Sequence, residues 1–458
     1  MFPRILAAVA LCGVAVFAAD GIQPEEYRQR RAKVREQLGK EKGILVLYGA
    51  NEDERGDLRG RFFQEANFYY LTGWTEPGAR LLLTPDDEFL FLPARNEIKE
   101  RYTGRKLAPG DKNAVDATGL ANVLAANRFE LTLFQKLDAA EKIFALLNVN
   151  KTSPLRRLTG QRAIENAAPL IFPLRQIKSP AEIALLQHSA DVSVAAHKAA
   201  WQRAASGLFE YQVSATMTNI YFEAGCERSS YPPIVGSGPN STILHYNKND
   251  RRMDSGEVLL MDVAGECTMY ASDITRTIPV NGKFSARQRE IYDIVLGAQR
   301  AAIAAVKPGM RLARDTENSL HRIAFDYINT HGKNLKGEPL GKYFTHGLGH
   351  HVGLDVHDPG PPVQPLEAGN VITIEPGIYI PEEGIGVRIE DVLLVTPNGA
   401  KVLTYDDLRT DLAPLARKHA DEDLGMPLRS SREDMLEFAV AAPSVVVRIL
   451  FVTPSSWR

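Results

Sequence analysis

The chain has 458 residues, of which 44% are hydrophobic and 24% charged, an ordinary globular composition that excludes disordered and collagen-like classes. Its 54 Lys and Arg are offset by 56 Asp and Glu, and a net charge of -2 gives no basic footprint for nucleic acid. Three cysteines are too few for a disulfide scaffold, and the length allows two or three domains.

Residues 1–19 read as a secretory signal peptide. Arg4 is a minimal positive n-region, 5–17 is almost wholly apolar, and Val16 with Ala18, or Phe17 with Ala19, sit where a signal peptidase wants small or neutral residues. The apolar run is short for a spanning helix, which needs about 20 residues; an uncleaved anchor is the alternative. A cleaved leader implies a periplasmic or secreted protein with no stable membrane span, whereas the chain is cytoplasmic if the segment is not a signal. Cys226 and Cys267 then remain, and the sequence does not give their distance.

Residues 20–173 mix short strands and helices. GILVLY at 43–48 and EFLFL at 88–92 read as buried or half-buried strands bounded by turn residues. This region contains no histidine, so a site built on imidazole must lie downstream.

A second region, 174–413, opens with the capping box Ser179-Pro180-Ala181-Glu182, a strong helix start. Apolar residues then recur at three- and four-residue spacing through Ile183, Leu186, Ala190, Val194 and Trp201. Further helices are predicted over 210–224, from Ser285 to Lys307, and over 315–330, with strands over 258–263, 269–278, 371–375 and 387–395. Helices grouped apart from hairpin-like strands indicate an α+β domain. The remainder, 414–458, is a charge-rich tail ending in an apolar run at 445–452, with no function legible in it.

The strands carry out-of-place carboxylates. Asp262 lies in VLLMDVAG and Asp273 in YASDITRT; strands paired symmetrically about Cys267 and Thr268 bring the two face to face. Glu375 ends the run VITIEPG and Glu390 interrupts GVRIEDVLLV. Buried carboxylates repel unless a proton or cation lies between them. The plain alternatives are turn caps, an arginine partner such as Arg276, or polar faces of half-exposed strands. Next comes THGLGHHVGLDVHD, with His346, His350, His351 and His357. The four-residue spacing of His346 and His350 resembles a zincin, but Gly347 stands where that motif needs glutamate, and the glycines favour a loop. Four carboxylates and an imidazole form a hard, oxygen-rich donor set suited to Mn, Fe or Co, with Mg as an option, and thus to metal-assisted hydrolysis.

The order Asp262, Asp273, His350, Glu375, Glu390, within MDVAGECTMYASDITRT, HGLGHHVGLDVHD, ITIEPGIY and GVRIEDVLLV, resembles the dinuclear centre of the pita-bread metallopeptidases. That group includes methionine aminopeptidase, prolidase, Xaa-Pro aminopeptidase and the metal-free creatinase. Upstream, FFQEANFYYLTGWTEPGARLLL and RYTGRK resemble the N-terminal domain of Xaa-Pro aminopeptidases and prolidases, which methionine aminopeptidases lack. The resemblance implies a pita-bread catalytic domain of α+β class preceded by a smaller α/β creatinase/prolidase-type domain.

It also implies roles. Asp262 would chelate one of two divalent ions, Asp273 and Glu390 would bridge them, and His350 and Glu375 would complete the shells. Manganese is the first choice, with Co, Fe or Zn as alternatives. Glu375 would also handle a proton, His245 (in NSTILHYN) and His357 would stabilise the tetrahedral intermediate, and His346 and Arg388 would lie near substrate. His351 has no implied role beyond packing or rim. The implied activity is hydrolysis of the N-terminal Xaa-Pro bond of peptides with proline second; prolidase is the rival, and an inactive pita-bread binding protein the remote one. A homo-oligomer is expected by analogy.

Overall fold

The computed structural model describes residues 21–52, 62–147 and 155–404. The leader expected over 1–19 and the tail expected over 414–458 lie outside the described residues. No helix among those described is long and apolar enough to cross a membrane.

The N-terminal half is built on one sheet of strands β1 (Gly43–Tyr48), β2 (Arg80–Leu83), β3 (Glu88–Leu92), β4 (Asn122–Ala125), β5 (Lys142–Ala145) and β6 (Ile164–Asn166). Its spatial order is β4-β3-β2-β1-β5-β6, with β2 antiparallel to both β1 and β3 and the other pairs parallel. The unbroken apolar run of β1 reflects burial of both its faces. Leu45 and Leu47 pack with Val34 and Leu38 of the helix Pro24–Glu41, whereas Ile44 and Val46 pack with Phe129 and Leu133 of the helix Phe129–Leu137.

The second half is antiparallel. Its strands are β7 (Arg228–Ser229), β8 (Ile234–Ser237), β9 (Val258–Asp262), β10 (Gly265–Cys267), β11 (Tyr270–Ala271), β12 (Thr275–Pro279), β13 (Val371–Ile374), β14 (Gly377–Ile380), β15 (Ile385–Arg388), β16 (Asp391–Thr396) and β17 (Gly399–Val402). They form four small sheets, β11-β10-β7, β12-β9-β8, β13-β16-β17 and β14-β15. Helices Pro180–Arg203 and Glu210–Glu223 share one core with β9 and β10, and Ala286–Ala305 and Leu320–His331 share another with β13 to β16. The capping box predicted at Ser179 forms, and Ser285 with Gln288 caps the helix Ala286–Ala305 in the same way.

Three expectations are corrected. The helix predicted from 315 begins at Leu320, because Ser319 caps it by accepting from the Arg322 amide after Asn318 turns through φ 55°. The strands predicted over 269–278 and 387–395 are each divided, the second at Ile389 and Glu390, so that β15 pairs with β14 while β16 pairs with β13 and β17. Finally, the hairpin turns at Thr268 and Met269, both at positive φ (52° and 68°), so Cys267 pairs with Tyr270 and Asp262 lies opposite Thr275 instead of Asp273. The register has moved by two residues, one side-chain period, so Asp273 still shares a face with Asp262.

Cys226 and Cys267 form a disulfide across a sequence separation of 41. By the chain-entropy model, closing a loop of that size stabilises the fold by about 4 kcal/mol. The two halves are joined by buried charge: Arg175 donates to Asn67 and Asp355 at 2.7 Å and to Asp358 at 2.5 Å, and Lys178 donates to Asp358 at 2.9 Å.

Candidate metal centre

The interruptions of the strands are where the chemistry collects. Asp262 is the last residue of β9, Asp273 lies between β11 and β12, Glu375 follows β13 directly, and Glu390 occupies the break between β15 and β16. The Glu390 amide donates to the Thr275 carbonyl at 3.1 Å, which seats that break against β12.

The histidine segment is a loop, as its glycines predict. It runs along β13: the Thr373 amide donates to the His350 carbonyl, and the Glu375 amide to the Leu348 carbonyl, each at 2.8 Å. The approach is so close that a Cβ on Gly349 would lie 2.1 Å from the Thr373 carbonyl oxygen. The His350 amide donates to the Thr373 hydroxyl at 3.0 Å, fixing the imidazole over the carboxylates.

Asp262, Asp273, His350, Glu375, Glu390, His245, His346, His357 and Arg388 all line a single cavity of about 450 Å³. Asp273, His350 and Glu390 each place a ligand atom within 4.8 Å of the others. His350 Nε2 lies 3.3 Å from Asp273 Oδ2 and 3.5 Å from Glu375 Oε1. Its Nδ1 lies 3.0 Å from the His351 carbonyl, an oxygen that can only accept, so Nδ1 carries a hydrogen. Nε2 of the neutral ring therefore aims a lone pair at carboxylate oxygens, an arrangement that needs a proton or a cation in the gap. His351 is buried away from the cavity lining, as packing.

Electrostatics point the same way. Burial raises the carboxyl of Asp262 from its ordinary value, that of Glu390 well above its own, and that of Glu375 to about 7. Burial opposes the His350 imidazolium, yet the Asp273 hydrogen bond and the charges of Glu375 and Asp273 hold it up at about 9. The cluster thus demands positive charge, and this donor set fits divalent cations with a preference for oxygen and imidazole. The residues that would hold them are Asp262, Asp273, His350, Glu375 and Glu390.

Of the polar residues around the cluster, Tyr231, Thr275 and Tyr379 carry no sequence signal. The Tyr231 hydroxyl lies 2.6 Å from an oxygen of each of Asp262 and Asp273. Thr275 donates to Glu390 at 2.7 Å, and Arg388 donates to Asp262, to Thr275 at 3.1 Å and to the Tyr379 hydroxyl at 2.8 Å. His346 Nδ1 donates to the Gly347 carbonyl, leaving Nε2 to accept from Tyr379 at 2.8 Å. Arg388, Tyr379 and His346 thereby form a directed chain, and burial lowers His346 to about 4, so its ring is neutral. The Arg276 guanidinium pairs with Asp391 at 2.8 Å and donates to the Glu390 backbone carbonyl at 2.5 Å. His357 packs on His350 with ring centroids 4.1 Å apart, and burial lowers its pKa. The triad His188, Cys226, Cys267 also has metal-ligand proximity, but its sulfurs are bonded to each other.

A buried cavity floored by carboxylates and one imidazole, with further imidazoles in its walls, defines a metallohydrolase site. Residues 184–397 match Metallopeptidase family M24, and residues 27–144 match Aminopeptidase P, N-terminal domain. The Xaa-Pro aminopeptidase of Haemophilus influenzae is 36% identical over 408 residues, covering 83% of this chain and 94% of the relative. The Xaa-Pro aminopeptidase of Escherichia coli is 34% identical over 422 residues, covering 84% and 95%. The structure of E. coli aminopeptidase P with the inhibitor Pro-Leu matches with a TM-score of 0.77 at 30% identity, spanning 88% of this chain and all of that one (100%). Aminopeptidase PepP of Pseudomonas aeruginosa matches at 0.78 and 29% identity, over 88% and 99% of the two chains. The chain belongs to metallopeptidase family M24, in its Xaa-Pro aminopeptidase branch, and is a metallo-exopeptidase of the hydrolase class. The expected pita-bread fold with a preceding N-terminal domain is the fold it has.

Proposed function

We propose that this enzyme hydrolyses the N-terminal Xaa-Pro bond of peptides at a dinuclear centre held by Asp262, Asp273, His350, Glu375 and Glu390, with manganese as the working metal. The observation that carries the reading is the convergence of these five donors, with His245, His346 and His357, on one cavity. When bound, divalent cations supply Lewis-acid activation of a carbonyl and of water at neutral pH.

The chain's own residues do the rest. Glu375 takes the proton of the attacking water and passes it to the departing proline nitrogen, which must gain a hydrogen to leave as a secondary amine. His245 and His357, both in the cavity lining, stabilise the oxygen that gains charge in the tetrahedral intermediate. Arg388 neutralises part of the Asp262 charge and, through Tyr379, fixes the His346 ring beside the substrate path. An Xaa-Pro bond is a tertiary amide without an N–H, so peptidases that grip that hydrogen lose a contact, and a dedicated site is useful. We take the chain as two domains, a creatinase/prolidase-like domain over 20–173 and the catalytic domain over 174–413.

The test is a panel of an Xaa-Pro-Xaa tripeptide, its Xaa-Ala-Xaa counterpart and an Xaa-Pro dipeptide. The first residue should be released from the proline tripeptide and not from the alanine one. Cleavage confined to the dipeptide would contradict the aminopeptidase reading.

A further inference from the structure

The Cys226–Cys267 disulfide does more than staple a loop. Cys226 lies between the helix Glu210–Glu223 and β7, one residue (Glu227) short of the strand, and β7 leads within two residues to Tyr231. Cys267 ends β10, in the stretch of chain that separates Asp262 from Asp273. The Tyr231 hydroxyl touches both of those carboxylates at 2.6 Å, so the segments carrying Tyr231 and the aspartates meet twice, at the disulfide and at the metal centre. Between these points the ladder is short: β7 and β10 are in register at Gly265 with Ser229 and Glu266 with Arg228, with amide bonds from Glu227 to the Glu266 carbonyl and from Ser230 to the Ala264 carbonyl on either side, an Arg228–Glu266 ion pair at 2.9 Å, and the Thr268 amide donating to Glu227 at 2.7 Å. Both cysteines are buried in the core that β9 and β10 share with the two helices. These non-covalent contacts are few and the Arg228 side chain is 43% exposed, whereas a covalent bond at the end of the ladder fixes the spacing of the two segments.

We propose that this disulfide is a positioning element of the metal centre: by clamping β7 to β10 it holds Tyr231 against Asp262 and Asp273, and the centre reaches full metal affinity in the oxidised protein. The inference rests on the reading of these aspartates as metal ligands. It also accords with the leader-like segment at 5–17, since disulfides persist in oxidising compartments. Reduction by a dithiol adds one hydrogen to each sulfur and converts the reductant to its own disulfide, leaving the ladder and its non-covalent polar contacts to hold Tyr231.

The test compares wild type with C226S/C267S, measuring Mn²⁺ affinity of the metal-stripped proteins by calorimetry and secondary structure by circular dichroism. The double variant should keep its secondary structure and bind Mn²⁺ about tenfold more weakly, the lower end of the effect of removing support around metal ligands. Adding Y231F should weaken binding in the wild type yet cost little more in C226S/C267S, because both changes release the same contact. Unchanged Mn²⁺ affinity in C226S/C267S, or fully additive losses with Y231F, would overturn the proposal. Should the serine variant fail to fold, wild type treated with a graded series of dithiol provides the comparison, and affinity independent of the titrated thiol count would equally overturn it. Failure of the oxidised wild type to bind Mn²⁺ would instead sink the metal-centre reading itself.

Discussion

Glu375→Gln should lower kcat on an Xaa-Pro-Xaa tripeptide by about a thousandfold, the middle of the range for loss of a positioned general acid–base. The side chain is half-buried just past the end of β13, where the Thr373 hydroxyl lies 3.3 Å from one of its oxygens and desolvation raises its carboxyl to about 7. Glutamine preserves that shape but cannot take and return a proton. Because Glu375 also belongs to the ligand set, the rate should be read at saturating Mn²⁺ with bound metal counted, which separates loss of proton transfer from loss of metal. A variant that retains metal and stays within tenfold of the wild-type kcat would show that another group moves the proton.

Asp358→Asn should reduce the unfolding free energy by about 3–5 kcal/mol, the cost of breaking a buried ion pair from one side. Asp358 is buried between Arg175 and Lys178, whose side chains are themselves only 2% and 1% exposed. Asparagine would strand both cations, with the half-exposed Asp355 as the remaining carboxylate on Arg175. Denaturant unfolding measures the change, and a loss below about 1 kcal/mol would contradict the assignment. The pH dependence has a definite sign. Burial opposes the Asp358 carboxylate, but Lys178 and Arg175 outweigh it and hold the carboxyl below its ordinary value. Its contribution is therefore complete above the ordinary aspartate range and is lost as pH falls through the lower folded value. Wild type should lose stability on acidification over that window, and Asp358→Asn should lose less. Since Asp358 adjoins His357, the same variant should also lower kcat/KM at neutral pH.

Much of the site is legible in the sequence because its signals are violations of pattern. A carboxylate inside VLLMDVAG or GVRIEDVLLV has no place in a buried strand unless something compensates it, and each such violation proves to lie at a strand end or break that faces one cavity. Parity explains why Asp262 and Asp273 converge even though the hairpin turns one residue later than symmetry about Cys267 and Thr268 implies. The breaks themselves were not legible: YASDITRT and GVRIEDVLLV have continuous strand propensity, and only pairing with different partners divides them. Tyr231 and Tyr379 left no trace because a tyrosine beside prolines or inside GIYI is unremarkable until the fold brings Asp262 and Arg388 to its hydroxyl. Pairing of Cys226 with Cys267 likewise depends on a distance that only the fold supplies. Arg175 and Lys178 carry no signal in the sequence, and their burial against Asp358 is supplied by the fold.

The most direct test of the account is a titration of metal-stripped enzyme with Mn²⁺, following bound metal and release of the first residue from an Xaa-Pro-Xaa tripeptide together. A dinuclear centre predicts no turnover without metal and a rate that saturates as binding approaches two ions per chain. Turnover in the fully stripped protein, or a tripeptide left intact at full Mn²⁺ occupancy, would contradict it.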